Sequence, residues 1–341
     1  MTGIVLIYLK MSHLRFTFVS SLCKRIVLCN IAADESTPDL TMKKRSNKFY
    51  REGSAHHLYL KALNGNVLFY RTEDYIFFLT LLSVIAKRYG IRIEALCIMF
   101  NHVHILVRTV DESVFKAFCR DLQSLFSIGY NKEYHLKGRL MMRSGYAPKI
   151  SRKSILSCLI YIVNNPVAGH LSKKAIDYKW NLLAFLQSSH PFSEKLVKRS
   201  SRLRLREAAR IVDCCFKEGT ALNYSIQNNI FRDLTSKEKR TVTDYIVNLY
   251  NPIDKEAFLA RFGDWETALL AIDSTTGADH DIQEVWDDHS VYLRMLKSCL
   301  SLGIQPWRFN EMETEDRLRL VKVLSGIYGS TPEHIRRFLH Q

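Results

Sequence analysis

Met99-Phe100-Asn101-His102-Val103-His104-Ile105-Leu106-Val107 lies in a strongly apolar part of the chain. Ile91 to Phe100 before the histidines and Ile105 to Val107 after them are rich in β-branched residues and read as two strands. Side chains alternate along a strand, so His102 and His104 share a face, roughly 7 Å apart at about 3.3 Å rise per residue. Two imidazoles on one face can share a metal ion. An isolated H-x-H is more often a pair of ordinary sheet histidines, so its meaning depends on partners elsewhere in the chain.

Upstream, Ala55 to Leu63 is strand-like and Asn64-Gly65-Asn66 is a turn signal. Thr72 is placed to cap a helix that runs to about Tyr89 and stops at Gly90. Downstream, Asp111 caps a helix to about Tyr134, Gly138 to Ser151 is irregular or a short strand, and Ser154 to Asn164 is a helix that Pro166 is expected to end. The order β-α-β-β-α-β followed by a helix predicts an α+β fold: a ferredoxin-like antiparallel sheet with helices on one face.

Charge divides the chain. The 341 residues carry a net charge of +15. Met42 to Arg210 holds 30 Lys and Arg against 11 Asp and Glu, whereas Ile211 to Gln341 holds 15 against 20. A polycationic first domain beside a mildly acidic second one points to a phosphate backbone as partner. Eight scattered cysteines without a C-x-x-C pair read as reduced thiols in a cytoplasmic protein. No uncharged apolar run reaches 18 residues, so no membrane helix is expected. Residues 1–41 read as a non-native or disordered extension, with Met42 as the expected start.

The helix ahead of Pro166 holds Tyr161 and Asn165, spaced i, i+4 and therefore on one face. A phenol is a candidate nucleophile and an amide oxygen a hard ligand. Alone, the pair also suits a core tyrosine and a capping asparagine. The combination of Phe100-Asn101-His102-Val103-His104-Ile105-Leu106-Val107 with Tyr161-x-x-x-Asn165-Pro166 resembles the single-tyrosine HUH transposases, and within them the REP-associated, insertion-sequence-200-like branch. Tyr130-Asn131, Gly138-Arg139 and Arg143, and then Asp177-Tyr178-x-Trp180, fall where that family has further motifs, so the likeness runs from about Ser54 to Phe185.

The resemblance implies that His102, His104 and Asn165 bind a divalent ion, Mg²⁺ or Mn²⁺. It implies that Tyr161 attacks a phosphodiester of single-stranded or hairpin DNA to give a 5′-phosphotyrosine. Arg139, Arg143, Lys149, Arg152 and Lys153 are the candidate DNA contacts of this domain. The sequence departs from the family where proline usually precedes the Asn-His pair and Phe100 stands here, and where Trp180 is followed by Asn181-Leu182 rather than by serines. His56 and His57 read as substrate or packing residues.

The expected organisation is a nuclease domain over 42–190, a basic linker or helix over 191–210, and a helical region over 211–341. Helices are expected at 235–250, 254–272, 285–302 and 313–328. Gly329, the cap at Ser330 or Thr331, and Pro332 suggest a helix-turn-helix within 313–340, with Arg336 and Arg337 outward towards double-stranded DNA. Two packed helices explain the pattern equally well. The sequence has no preference between monomer and homodimer, or between Tyr161 serving its own histidines and those of a partner. Two further functions fit the same fold: a domesticated DNA-binding regulator with weak or no cleavage, and, less well, an RNA-binding sheet on which Tyr59 would stack bases.

Overall fold

The computed structural model describes residues 50–109, 111–274 and 288–341; the expected extension over 1–41 lies outside them. Strands β1 (Ala55–Lys61), β2 (Arg92–Ile98), β3 (His102–Arg108) and β4 (Gly145–Lys149) form one antiparallel sheet in the order β2-β3-β1-β4. This is the ferredoxin-like order expected from the sequence. β3 pairs with β1 in the register Tyr59↔His104 and Lys61↔His102. The short β4 carries Pro148, which an edge strand tolerates because one side of it needs no ladder hydrogen bonds.

Helices α1 (Thr72–Arg88) and α2 (Glu112–Glu133) cover one face. Phe115 of α2 packs on His56 and on Tyr146, with ring centres 5.3 and 5.0 Å apart, and Phe77 and Phe78 of α1 meet Phe126 of α2. Asp111 caps α2, accepting from the backbone N–H groups of Ser113 and Val114. The N-cap of α1 is Arg71 rather than Thr72. Asp74 reaches back to accept from the Arg71 N–H, which leaves Thr72 inside the first turn.

The opposite face is covered by α3 (Arg152–Ala168), opened by a reciprocal Ser151–Ser154 cap. This helix does not stop before Pro166 but continues one turn to Ala168. Proline removes a donor from the last turn. Asn181 donates to the Val163 carbonyl at 2.9 Å and to the Ala175 carbonyl at 2.6 Å. Asn164 donates to the Ile272 carbonyl, which ties the end of this helix to the C-terminal part of the chain.

The rest of the chain is helical: α4 (Leu203–Lys217), α5 (Tyr224–Phe231), α6 (Ser236–Leu249), α7 (Lys255–Leu259), α8 (Trp265–Asp273), α9 (His289–Ser301), α10 (Thr314–Ser325) and α11 (Pro332–Leu339). The single helix expected over 254–272 is two, broken at Gly263, whose φ of +93° no helix accommodates. These helices share the core of the sheet domain. Tyr224, Val247, Phe258 and Ala268 join the main apolar cluster. Helices α4–α6 bury Ile76, and α9–α11 enclose Val67, Tyr70 and Phe100. Among the described residues no helix is long and apolar enough to cross a membrane.

Asp74 ties these layers together. Its fully buried carboxylate accepts from the Tyr70 and Arg71 N–H groups and from the hydroxyls of Tyr134 on the α2 cap and Tyr224 on α5. Burial raises its pKa to about 6, against the pull of Arg71 and these hydrogen bonds. Asp74→Ala strands two buried hydroxyls and two backbone N–H groups, so it is expected to cost about 3–5 kcal/mol in urea unfolding. A cost under about 1 kcal/mol, the range of an ordinary surface change, would contradict this role.

His56 lies under Tyr50, with stacked rings 4.6 Å apart, and its Nε2 accepts from the Arg51 N–H. Burial pushes its pKa down from 6.5 to about 4. Between those values the unfolded chain binds a proton here that the folded chain does not, so this group lowers stability as pH falls through the window. The stability of His56→Phe relative to wild type should therefore rise when pH is lowered from about 7 to about 5. A difference independent of pH would show that His56 is not held neutral.

Candidate active site

Strand alternation and the β1–β3 register place His57, Tyr59, His102 and His104 on the face under α3. The His102 and His104 rings are 4.9 Å apart, and Tyr59 stacks on His104 at 4.8 Å. The Tyr161 ring descends from α3 edge-on, 5.4 Å from His104 and 5.7 Å from His57. Rings from β1, β3 and α3, far apart in sequence, thus meet at one place. Asn165 lies one turn further along α3, buried, with its Nδ2 donating to the Tyr161 carbonyl. With Nδ2 engaged, Oδ1 is the atom of this side chain that could hold a cation.

The spacing of the two imidazoles is one that a shared divalent cation would require. His102 Nδ1 is 2.7 Å from Asn101 Oδ1, and His104 Nδ1 is 2.9 Å from His57 Nε2. Each ring is oriented through Nδ1 by a neighbour, which makes Nε2 the nitrogen a metal takes. Two imidazoles sharing a cation at about 2.1 Å have ring centres roughly 4.5–5.3 Å apart, and the observed pair falls within that range. Among the described residues, no three His, Cys, Asp or Glu side chains converge as a metal cluster. Coordination here would need the Asn165 amide or substrate oxygens beside the two imidazoles.

The site is closed: Tyr161 is 2% exposed, His102 8% and His104 0%. Beside the C-terminal end of α3 opens a cleft of about 430 Å³ rimmed by His170, Lys173 and Lys174.

The expected DNA contacts divide. Arg139, Arg143, Arg152 and Lys153 are exposed, the last two in the first turn of α3. Lys149 is buried and, by alternation along β4, shares the face of His57. Arg336 and Arg337 do not project from a recognition helix. Both pair with Glu333, Arg336 donates to the Asn64 carbonyl, and Arg337 lies against Gly65. The buried face of α11 packs in the core with Tyr70 and Phe100, so the last helix is docked on the sheet domain. Part of the basic stretch after Glu194 is paired internally, through Lys198–Asp213 and Arg202–Glu238, while Lys195, Arg199, Arg206 and Arg210 are exposed.

Two residues at the site go beyond the sequence reading, which gave His57 only a substrate or packing role and did not single out His289. His57 is the hydrogen-bonding partner of His104; its place at an alternating position on the strand was the available signal. His289, at the start of α9, has its ring 5.3 Å from that of His102, and no spacing rule links residues so distant. Tyr59 packs on both site histidines rather than forming a base-stacking platform.

A structure described as a REP-associated tyrosine transposase bound to a REP hairpin is similar over 42% of this chain and 82% of its own, with 17% identity and a TM-score of 0.35. No curated protein matches. Residues 57–165 match the family described as "Transposase IS200 like". That segment begins at His57 and ends at Asn165, and it contains the sheet pairing, the two histidines and Tyr161. Over this segment the sheet domain is similar to the IS200-like transposases.

Proposed function

We propose that the protein is a metal-dependent tyrosine transposase that cuts and rejoins single-stranded DNA at hairpin or palindromic elements, working in the cytoplasm. The observation that carries this reading is the meeting of the Tyr161 ring with those of His57 and His104 on the sheet face that also bears His102. The Tyr161 oxygen attacks a backbone phosphorus. An O–P bond forms, the bond from phosphorus to the 3′-oxygen breaks, and the departing oxygen takes up a proton while the phenol loses one. The products are a 5′-phosphotyrosine and a 3′-hydroxyl. Attack by a 3′-hydroxyl on that linkage reverses the exchange, so one phosphodiester replaces another and no ATP is consumed.

A free phenol, with a pKa near ~10, is a weak nucleophile at neutral pH. Mg²⁺ or Mn²⁺ held by His102, His104 and Asn165 would offset charge developing on the non-bridging oxygens. His57 fixes the His104 ring, and Asn101 fixes that of His102. Arg139, Arg143, Arg152 and Lys153 supply exposed positive charge for the strand, and the surplus of basic residues over 42–210 supports a nucleic-acid partner. Lys149 acts within the site and not on the outer surface.

Burial of Tyr161 favours a second reading, a DNA-binding regulator on the same fold that cleaves weakly or not at all. The two are separated by incubating the protein with labelled single-stranded hairpin DNA from the flanks of its own gene and Mn²⁺. The transposase reading expects a denaturant-stable protein–DNA adduct, lost with chelator and in Tyr161→Phe and His102→Ala. Binding without adduct across several flanking substrates would overturn it in favour of the regulator.

A further inference from the structure

The helical C-terminal region lies outside the matched segment, yet it grips the loop that carries His102. Phe100 stands where proline is usual, and its side chain joins the core formed with α9–α11. Its ring stacks towards His289 at 6.2 Å and approaches Tyr292 at 6.1 Å. His289 is 3% exposed, and its ring meets that of His102 at 5.3 Å and 74°, edge to face. Asp288 starts α9 by accepting from the Ser290 N–H and also pairs with His170, just past the end of α3. Gly169 makes room for this docking: a Cβ there would sit 2.8 Å from Met99 Cε and 3.4 Å from His289 Cδ2.

The other side of the same loop is held from α11. Asn101, whose Oδ1 meets His102 Nδ1, donates through Nδ2 to the Gly65 carbonyl at 3.1 Å. Gly65 lies against Arg337, and the Val67 N–H donates to the Arg337 carbonyl at 3.0 Å. The His102 ring is therefore braced by α9 through His289 and by α11 through Gly65 and Asn101.

We infer that the C-terminal helical region is a working part of the strand-transfer site, with His289 a positioning residue that holds the His102 imidazole in its ligating orientation against the Phe100 platform. His289 stands beside the His102–His104 pair rather than completing it, because no three such side chains among the described residues converge as ligands. A histidine ring free to rotate binds a cation less tightly than one held in place, and loss of an orienting neighbour typically costs 10–100-fold in metal affinity. The inference rests on the reading of His102 and His104 as metal ligands.

The test is Mn²⁺ binding to the full chain without DNA, followed by the loss of free-ion EPR signal, with thermal unfolding measured beside it. His289→Ala should weaken Mn²⁺ binding about tenfold at an unchanged unfolding temperature. His289→Phe, which keeps the aromatic edge, should stay within about threefold of wild type. If the Ala variant does not fold, His289→Leu keeps the buried volume and should show the same tenfold loss. Wild-type affinity in a folded Ala or Leu variant would overturn the inference. Equal loss in Phe and Ala would also overturn it, by making the His289 nitrogen itself a ligand. His102→Ala separates the two levels: if it binds Mn²⁺ as wild type does, the ligand assignment fails, whatever His289 does.

Discussion

The register of β1 against β3 is the constraint on which the site depends. Tyr59 opposite His104 and Lys61 opposite His102 set the histidines, Tyr59 and His57 on one face, and leave Leu58, Leu60, Val103 and Ile105 for the other. A slip of one residue would exchange the two sets and bury imidazoles under α1 and α2. The apolar set is fully buried, so the core that stabilises the sheet also enforces the side on which its chemistry appears. Helix α3 completes the arrangement because Tyr161 and Asn165 lie on one stripe, and that stripe faces the histidines rather than the solvent.

The helical region is joined to this sheet at several points of different chemistry. Asp74 gathers hydroxyls from α5 and from the end of α2, Asn164 reaches the end of α8, and Phe100 enters the core of α9–α11. Polar groups buried at these joints are satisfied across the boundary, so pulling the two parts away from each other would expose both apolar surface and unpaired donors. The structure thus spends on internal cohesion several cations that the sequence offers as DNA contacts. Arg336 and Arg337 illustrate it: Glu333 pairs with both, the Asn64 carbonyl accepts from Arg336, and Arg337 lies against Gly65.

Much of this was legible in the sequence because it follows from local rules. Alternation put His102 and His104 together, helical spacing put Tyr161 and Asn165 together, and Asp111 and Thr331 were visible as caps. Pro166 misled because the residue before a proline is disfavoured in the helical region but not barred from it, and here the helix runs through Asn165 to Ala168. His57 was ambiguous beside His56: the two differ only by which face they take, and that depends on pairing with β3. The contact of His289 with His102 could not be read from spacing, since it arises from docking across almost two hundred residues. The departure at Phe100 was visible, but its meaning appeared only with the partner ring of Tyr292 beside it.

The central claim is that one phenol, Tyr161, exchanges phosphodiesters. It is tested most directly by digesting the protein–DNA adduct with nuclease and protease and locating the retained nucleotide by mass spectrometry. The account predicts a single modified peptide, the one containing Tyr161, with phosphate on the tyrosine oxygen and the nucleotide joined through its 5′ end. A nucleotide on any other of the 16 tyrosines, or one joined through its 3′ end, would contradict it.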